Sequence, residues 1–281
     1  MKKLFISADM EGIAGVVTKQ QLLVNGFEYQ QARQWMTDEV IAVTNAAFES
    51  GIDEIVVADS HSNGQNIIID QLPENVSLVR AWPRPLCMMQ GIEEQGIDGH
   101  EYVGAVLLGY HGGVHTPRAA MAHTICLQLV ELKVNGQLWA EAELSAATAG
   151  YYQVPIIMAT GDDAFIRQIK PVLGDIETVV TRKSYSAQSG LIITPKKSHK
   201  LLTQATKKAI SRANEFGLFR VDKRLEVEVT FNSPALIDTL VLLKGVKRIN
   251  GLTISVDCDD VIELVHFFSF LGSLFSRGWE Y

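Results

Sequence analysis

Side chains that can bind metal ions follow three separate apolar segments of this sequence. Asp9 and Glu11 follow the first segment, His61 follows the second and His111 follows the third. Carboxylate oxygens and imidazole nitrogens are suitable ligands for zinc, and a carboxylate can bridge two ions. Because one catalytic zinc normally uses three protein ligands, this surplus favours a site for two ions about 3.5–4 Å apart.

The segments before these residues are predicted to be β-strands. They are short apolar runs at residues 3–7, 54–58 and 105–108. The intervening residues 29–50 have apolar side chains at helical spacing and end at Gly51. A fourth apolar run, residues 154–159, leads into Thr160-Gly161-Asp162-Asp163, which is typical of a helix N-cap. Continuous apolar strands interleaved with helices predict an α/β fold with a parallel sheet covered on both faces.

In open parallel sheets, the loops after the carboxyl ends of the strands meet at one edge, where ligands bind. We therefore expect the four candidate ligands to lie together there. The spacing of Asp9 and Glu11 places both carboxylates on one side if extended backbone continues between them. Each of the four side chains alone could be an ordinary loop or core residue. The prediction depends on their shared position at successive strand ends.

Two more histidines, His115 and His123, follow His111. A histidine beside a metal-bound water can carry protons, since the imidazole of histidine titrates near neutrality. Either residue fits this role, and either could instead lie on the surface.

After about residue 180 the pattern changes. A helix is predicted from Thr194 onwards, and Leu225–Phe231 alternates apolar and charged side chains as a half-buried strand does. Further elements are predicted at residues 234–243, 252–256 and 261–275. We expect an α/β domain over residues 1–185, with the metal site at the strand carboxyl ends, and a smaller α+β domain over residues 186–281.

Composition restricts the class of protein and of partner. The 281 residues are 47% hydrophobic and 20% charged, which predicts a globular chain with a substantial core. The net charge of −7 provides no basic surface, so neither nucleic acid nor an anionic membrane is an expected partner. The three cysteines form no C-x-x-C pair, and no apolar stretch reaches the roughly 20 residues of a membrane helix. We expect a soluble cytoplasmic protein.

The sequence Ser7-x-Asp9-x-Glu11-Gly12 resembles the S-x-D-x-E-G signature of the DppA-type D-aminopeptidase family. Other segments resemble the family in the same order: Asp59-Ser60-His61-Ser62, Leu108-Gly109-Tyr110-His111, Met121-x-His123, Asn135-Gly136, Glu141, Ala149-Gly150-Tyr151-Tyr152 and Gly161-Asp162-Asp163. The resemblance covers roughly residues 1–185, and beyond them extends only to the pattern of strands and helices.

The resemblance implies a zinc aminopeptidase that binds two ions per chain and assembles into a ring-shaped homo-oligomer, a decamer. Its substrates would be short peptides, with a preference for an N-terminal D-residue, and its reaction would use a water activated by two metals. It implies that Asp9 bridges the ions, with Glu11 and His111 completing one site. The other site would be completed by His61 and Glu141, and the catalytic residue would be His123. Without the resemblance, Glu141 is predicted only to lie on a polar helix face.

Two other functions fit the same residues. One is a related binuclear amidase or phosphoesterase that uses the same ions on another substrate. The other is a non-enzymatic Mg²⁺-binding module of receiver type, in which the acidic pair would lie near a lysine such as Lys183. That module uses oxygen ligands, whereas His61 and His111 favour zinc.

Overall fold

Strands and helices alternate along most of the chain. A computed structural model describes residues 1–96 and 100–275. The strands are β1 (Lys2–Ala8), β2 (Glu54–Asp59), β3 (Val76–Val79), β4 (Glu101–Tyr110), β5 (Leu129–Val134), β6 (Gln137–Leu138), β7 (Ile156–Asp162), β8 (Glu177–Ser186), β9 (Ser189–Ile192), β10 (Leu225–Phe231), β11 (Val246–Arg248) and β12 (Thr253–Cys258). The helices are α1 (Tyr29–Glu49), α2 (Glu141–Tyr151), α3 (Asp163–Leu173), α4 (Pro195–Ser211), α5 (Pro234–Leu240) and α6 (Val261–Phe275).

A seven-stranded sheet holds the strands that precede the candidate ligands. Its order is β3-β2-β1-β4-β7-β8-β9. All neighbouring strands are parallel except β8 and β9, which form an antiparallel hairpin at the edge. This confirms the predicted α/β fold with a mainly parallel sheet. Among the described residues, no helix combines the length and apolar character needed to cross a membrane.

Helices cover both faces of this sheet. Leu4 and Ile6 of β1 pack in one core with buried residues of α1 and α4, such as Val40 and Leu202. Phe5 points the other way, into a core that contains residues of α2 and α3. The cause is the alternation of successive strand side chains between the two faces. Strands buried on both faces are apolar at every position, which is why the sequence shows continuous apolar runs.

A second sheet is antiparallel and has the order β11-β12-β10-β5-β6. Alternate residues of β10 are buried, as predicted, and pack with α5 and α6. Two of its strands, β5 and β6, precede α2 in the chain, so the sheets do not divide at residues 185 and 186. That domain boundary stays a prediction, and residues 276–281 at its end lie outside the described part of the chain.

A buried carboxyl group lies where α1 meets α4. Glu39 is fully buried, and its Oε1 accepts hydrogen bonds from Ala14 N (3.0 Å) and Ser198 Oγ (2.7 Å). Its other oxygen, Oε2, has no hydrogen-bond partner in the described structure. Burial raises the pKa of Glu39 to about 7 despite these two donors. The folded protein therefore keeps the proton to a higher pH than the unfolded chain does.

This raised pKa predicts a pH-dependent stability. Between the ordinary glutamate pKa of 4.5 and about 7, the unfolded chain releases the proton and the folded protein keeps it, so the free energy of unfolding falls as pH rises. Between pH 5 and pH 8, ionisation of Glu39 should lower the free energy of unfolding of the parent protein by up to about 3 kcal/mol. Glu39→Gln should not show this decrease. Urea unfolding of both proteins at the two pH values measures it. Glu49→Gln, an exposed change on the same helix, is the control and should follow the parent protein.

Candidate metal centre

Three loops and one helix start bring the candidate ligands to the carboxyl edge of the parallel sheet. Asp9 and Glu11 follow β1, His61 follows β2 and His111 follows β4. Glu141 is the first residue of α2, which packs over the same part of the sheet. The chain adds β2 and β3 on one side of β1 and β4 on the other. Such a change of direction opens a crevice at the strand ends, where ligands bind in α/β proteins.

Asp9 lies between two imidazoles. Its Oδ1 is 3.4 Å from Nδ1 of His61, and its Oδ2 is 3.5 Å from Nε2 of His111. Each oxygen of one carboxylate therefore faces a different histidine. This is the arrangement expected of a carboxylate that bridges two ions.

Each of the two remaining carboxylates contacts one of these histidines. Glu11 Oε2 lies 3.0 Å from His61 Nδ1, and Glu141 Oε2 lies 3.2 Å from His111 Nε2. Ligand atoms within 4.8 Å of one another form three groups: Asp9–Glu11–His61, Asp9–His111–Glu141 and Glu11–His111–His123. The pairing that the family resemblance implies, with Glu11 beside His111 and His61 beside Glu141, stays a prediction. The third group keeps Glu11 and His111 within reach of one ion, because β1 lies between β2 and β4 in the sheet.

Backbone carbonyls orient the imidazoles of His61 and His111. His61 Nε2 is 3.1 Å from Leu22 O, and His111 Nδ1 is 3.0 Å from Gly112 O. A carbonyl oxygen only accepts, so each of these nitrogens carries the proton and donates it. The other nitrogen of each neutral ring then presents a lone pair to the carboxylates. Metal-binding histidines are typically held this way by a carbonyl or carboxylate.

This donor set fits a metal cation. Nε2 of His111 is buried and makes no hydrogen bond of acceptable geometry among the described residues, although a carboxylate oxygen lies 3.2 Å away. A lone pair facing carboxylate oxygens repels them unless a positive charge lies between. Asp9, Glu11 and Glu141 are at most 5% exposed, so water cannot supply that compensation.

The pKa values of the clustered side chains also indicate that the site favours bound positive charge. Burial and the neighbouring Glu11 raise the pKa of Asp9 to about 8. Burial alone would lower the pKa of His111, but Glu141 outweighs it and raises the value to about 10. Similarly, burial lowers the pKa of His61, yet Glu11 and Asp9 hold it well above the ordinary value. The cluster therefore attracts cations, either protons or metal ions.

His123 lies at the more open side of the cluster. Its ring stacks on His111 with 4.3 Å between centroids, and its Nδ1 donates to Met121 O (2.9 Å). Its Nε2 is 4.0 Å from Glu11 Oε1 and 3.9 Å from Glu141 Oε1. The side chain remains 21% exposed, more than any other imidazole of the cluster. His115 belongs to none of the possible ligand groups found among the described residues.

Polar side chains below the ligands hold the strand ends together. Ser7 Oγ lies 2.7 Å from Tyr110 Oη and 3.0 Å from Ser60 Oγ, which joins β1 to β4 and to the loop after β2. Asp59 accepts from the backbone of Asn66 and Ile67, which fixes the loop that carries His61. Sequence reasoning did not assign these roles. The only sequence signal for Ser7 and Asp59 was their position within the motifs that contain the ligands.

A model of the Peptidase_M55 family, described as D-aminopeptidase, matches residues 1–270 of this chain. The chain belongs to the D-aminopeptidase family. It is 27% identical over 262 residues to a D-aminopeptidase of Bacillus subtilis (strain 168), and the alignment covers 93% of each protein. A solved structure, described as the Zn-dependent D-aminopeptidase DppA from Bacillus subtilis, a self-compartmentalizing protease, has a TM-score of 0.91 and 25% identity, with 99% of each chain covered.

These matches confirm the predicted family and enzyme class. As a D-aminopeptidase family member, the protein is a hydrolase. The structural match extends over both sheets, so the whole fold is that of the family. The individual site residues remain predictions, which the geometry above supports.

The glycine of the family signature has a steric role. A Cβ atom on Gly12 would lie 2.1 Å from Tyr110 O, because the loop after β1 crosses directly over the end of β4. Gly12 N also donates to Gly109 O at 2.7 Å. Any side chain at this position would push the loop that carries Glu11 away from the sheet.

We therefore expect Gly12→Ala to lower the free energy of unfolding by about 2 kcal/mol, in the usual range for an overpacked site. Gly217→Ala is the matched control, since no atom lies within 4 Å of a Cβ there. The control should change stability by less than about 1 kcal/mol. Chemical denaturation of the three proteins measures both effects. Equal stability of the two variants would show that the loop has room at Gly12.

Proposed function

We propose that this protein is a zinc-dependent aminopeptidase that removes the N-terminal residue, preferentially a D-residue, from short peptides. The observation that carries the proposal is the Asp9 carboxylate, whose two oxygens face the imidazoles of His61 and His111. Family membership gives the reaction class. The solved relative described as zinc-dependent supports zinc as the metal.

We further propose two ions per chain. Asp9, Glu11, His61, His111 and Glu141 would hold them, in keeping with the ligand groups that these side chains form. When bound, zinc supplies Lewis-acid chemistry, in which it acidifies water and polarises a carbonyl group. The protein fixes the positions of these ligands through the carbonyl-held imidazoles and the buried carboxylates.

The proposed metal centre suits a substrate with a free amino terminus. The α-amino nitrogen would dock beside the centre, because a neutral nitrogen is a ligand type that suits zinc. An internal peptide bond offers no such amine, so the centre favours cleavage at the N-terminal residue. The partly exposed ring of His123 is the cluster member that an arriving peptide can contact from solvent.

We assign proton transfer to His123. Met121 O holds the proton on Nδ1, so Nε2 faces the cluster and is free to take a proton and pass it to the departing amine. The stacked ring of His111 and the nearby Glu11 and Glu141 hold the ring of His123 at the edge of the cluster. The family match disfavours the phosphoesterase and amidase alternatives, and the imidazoles disfavour an oxygen-only Mg²⁺ module.

Assembly and location belong to the same proposal. The solved relative is described as self-compartmentalizing, which supports a homo-oligomer for this chain. A decamer, built from ten chains of 31.0 kDa each, stays a prediction from family resemblance. The three cysteines, Cys87, Cys126 and Cys258, are unpaired, which supports a reducing location such as the cytoplasm.

A substrate panel tests the reaction and the metal together. We expect protein purified without chelator to contain about two zinc equivalents per chain and to hydrolyse D-aminoacyl amides faster than L-aminoacyl amides. Phosphate esters should remain intact. Chelation should abolish turnover, added zinc should restore it, and Asp9→Asn should bind neither ion. Phosphate ester hydrolysis at rates comparable to amide hydrolysis would favour the alternative hydrolase.

The role of His123 has a matched control in the neighbouring histidine. We expect His123→Gln to lower kcat about 100-fold or more while zinc content stays near that of the parent, because general acid–base catalysis contributes about 10²- to 10⁴-fold. His115→Gln should change kcat only a few-fold. Zinc analysis and steady-state kinetics give both readouts. Turnover of His123→Gln at the parent rate would assign the proton transfer to another group.

A further inference from the structure

The hairpin formed by β8 and β9 provides no candidate metal ligand. Two of its side chains nevertheless donate hydrogen bonds to the loop that carries Glu11. The Nη1 group of Arg182 donates to Glu11 O at 2.6 Å and to Val16 O at 2.5 Å. The neighbouring Thr181 Oγ1 donates to Gly12 O at 2.6 Å. Three backbone carbonyls of one loop are thus held by two side chains of β8.

The same guanidinium is paired with a buried carboxylate. Arg182 Nη2 lies 3.3 Å from Asp162 Oδ2, and the two side chains are 1% and 0% exposed. Asp162 Oδ2 also accepts from Ala120 N (3.3 Å) and Ser184 Oγ (3.2 Å). Its Oδ1 caps α3 by accepting from Phe165 N at 2.6 Å. One carboxylate therefore contacts the arginine and the backbone of the segment that leads to His123.

The turn of the hairpin adds a second contact to that segment. Met121 N donates to Ala187 O at 2.8 Å, and Met121 O in turn accepts the Nδ1 proton of His123 at 2.9 Å. The hairpin thus fixes the residue whose carbonyl orients the His123 ring.

We propose that Arg182 and Asp162 are a positioning pair for the metal centre, which fixes the Glu11 loop and the His123 segment relative to each other. Neither residue is a ligand or touches substrate. Their effect on zinc passes through the backbone of Glu11, so it falls mainly on the ion that Glu11 holds. An ion that Glu11 does not hold keeps its affinity.

The arginine is required for its shape as well as its charge. Its planar fork reaches two carbonyl oxygens and a carboxylate at once, whereas the ammonium group of lysine is a single point of charge. Lysine at this position would keep the ion pair or the carbonyl contacts, but not both. Loss of the contact to Glu11 O frees the ligand to move, and partners behind metal ligands typically contribute about 10- to 100-fold to metal affinity.

The inference rests on the proposed function, and zinc affinity tests it without any assay of activity. Chelator competition on the full chain measures the zinc dissociation constants of the parent and of Arg182→Lys. We expect one equivalent to bind about 10-fold more weakly or worse and the other to change less than about 2-fold. Arg212→Lys is the matched control: Arg212 forms ion pairs with Glu177 of β8, with Asp175 and with Glu215, and none of these partners lies in a ligand loop.

The outcomes of this experiment distinguish failure of the proposed function from failure of the positioning role. If the parent chain binds no zinc, the proposed function fails and the positioning role fails with it. If the parent binds zinc and Arg182→Lys, folded by circular dichroism, binds both equivalents as the parent does, only the positioning pair is overturned. If Arg182→Lys does not fold, Asp162→Asn decides, because asparagine retains the helix cap. Its zinc affinity must fall at one equivalent, and unchanged affinity overturns the inference.

Discussion

The structure is organised around the cost of placing three carboxylates at one buried point. Asp9, Glu11 and Glu141 repel one another and lose nearly all contact with water, and each effect opposes ionisation. Only positive charge between them makes the arrangement favourable. The imidazoles are held by backbone carbonyls so that lone pairs, rather than N–H groups, face this point. A divalent cation binds several carboxylates and imidazoles at once, whereas a proton joins only one nitrogen to one oxygen.

Close backbone approach allows so many ligands to meet. The carbonyl of Tyr110, at the end of β4, lies between Gly12 and Gly161, and a Cβ on either glycine would come within 2.1 Å of it. The loop after β1 and the end of β7 therefore press against β4 from its two sides. This contact sets the distance from Glu11 to His111. A sheet with larger residues at these positions would have its strand ends too far apart to share ligands.

The regions that provide no ligand still determine the geometry of the metal centre. The hairpin of β8 and β9 holds the Glu11 loop through Arg182 and the His123 segment through Asp162 and Ala187. The second sheet contributes α6, which packs with α2 and so supports the helix that begins at Glu141. Ligand geometry thus depends on packing across the whole chain. This is consistent with a family relationship that extends over nearly its full length.

The sequence by itself determined the strands and helices of the parallel sheet, since apolar periodicity is local, and it identified the ligand types at the strand ends. It also carried the family signature. Only the tertiary structure decided that Glu11 contacts His61, that His123 rather than His115 joins the cluster, and that β5 and β6 enter the second sheet. It alone revealed Arg182. These features arise from contacts between residues distant in the chain, and no local pattern encodes which distant partners meet.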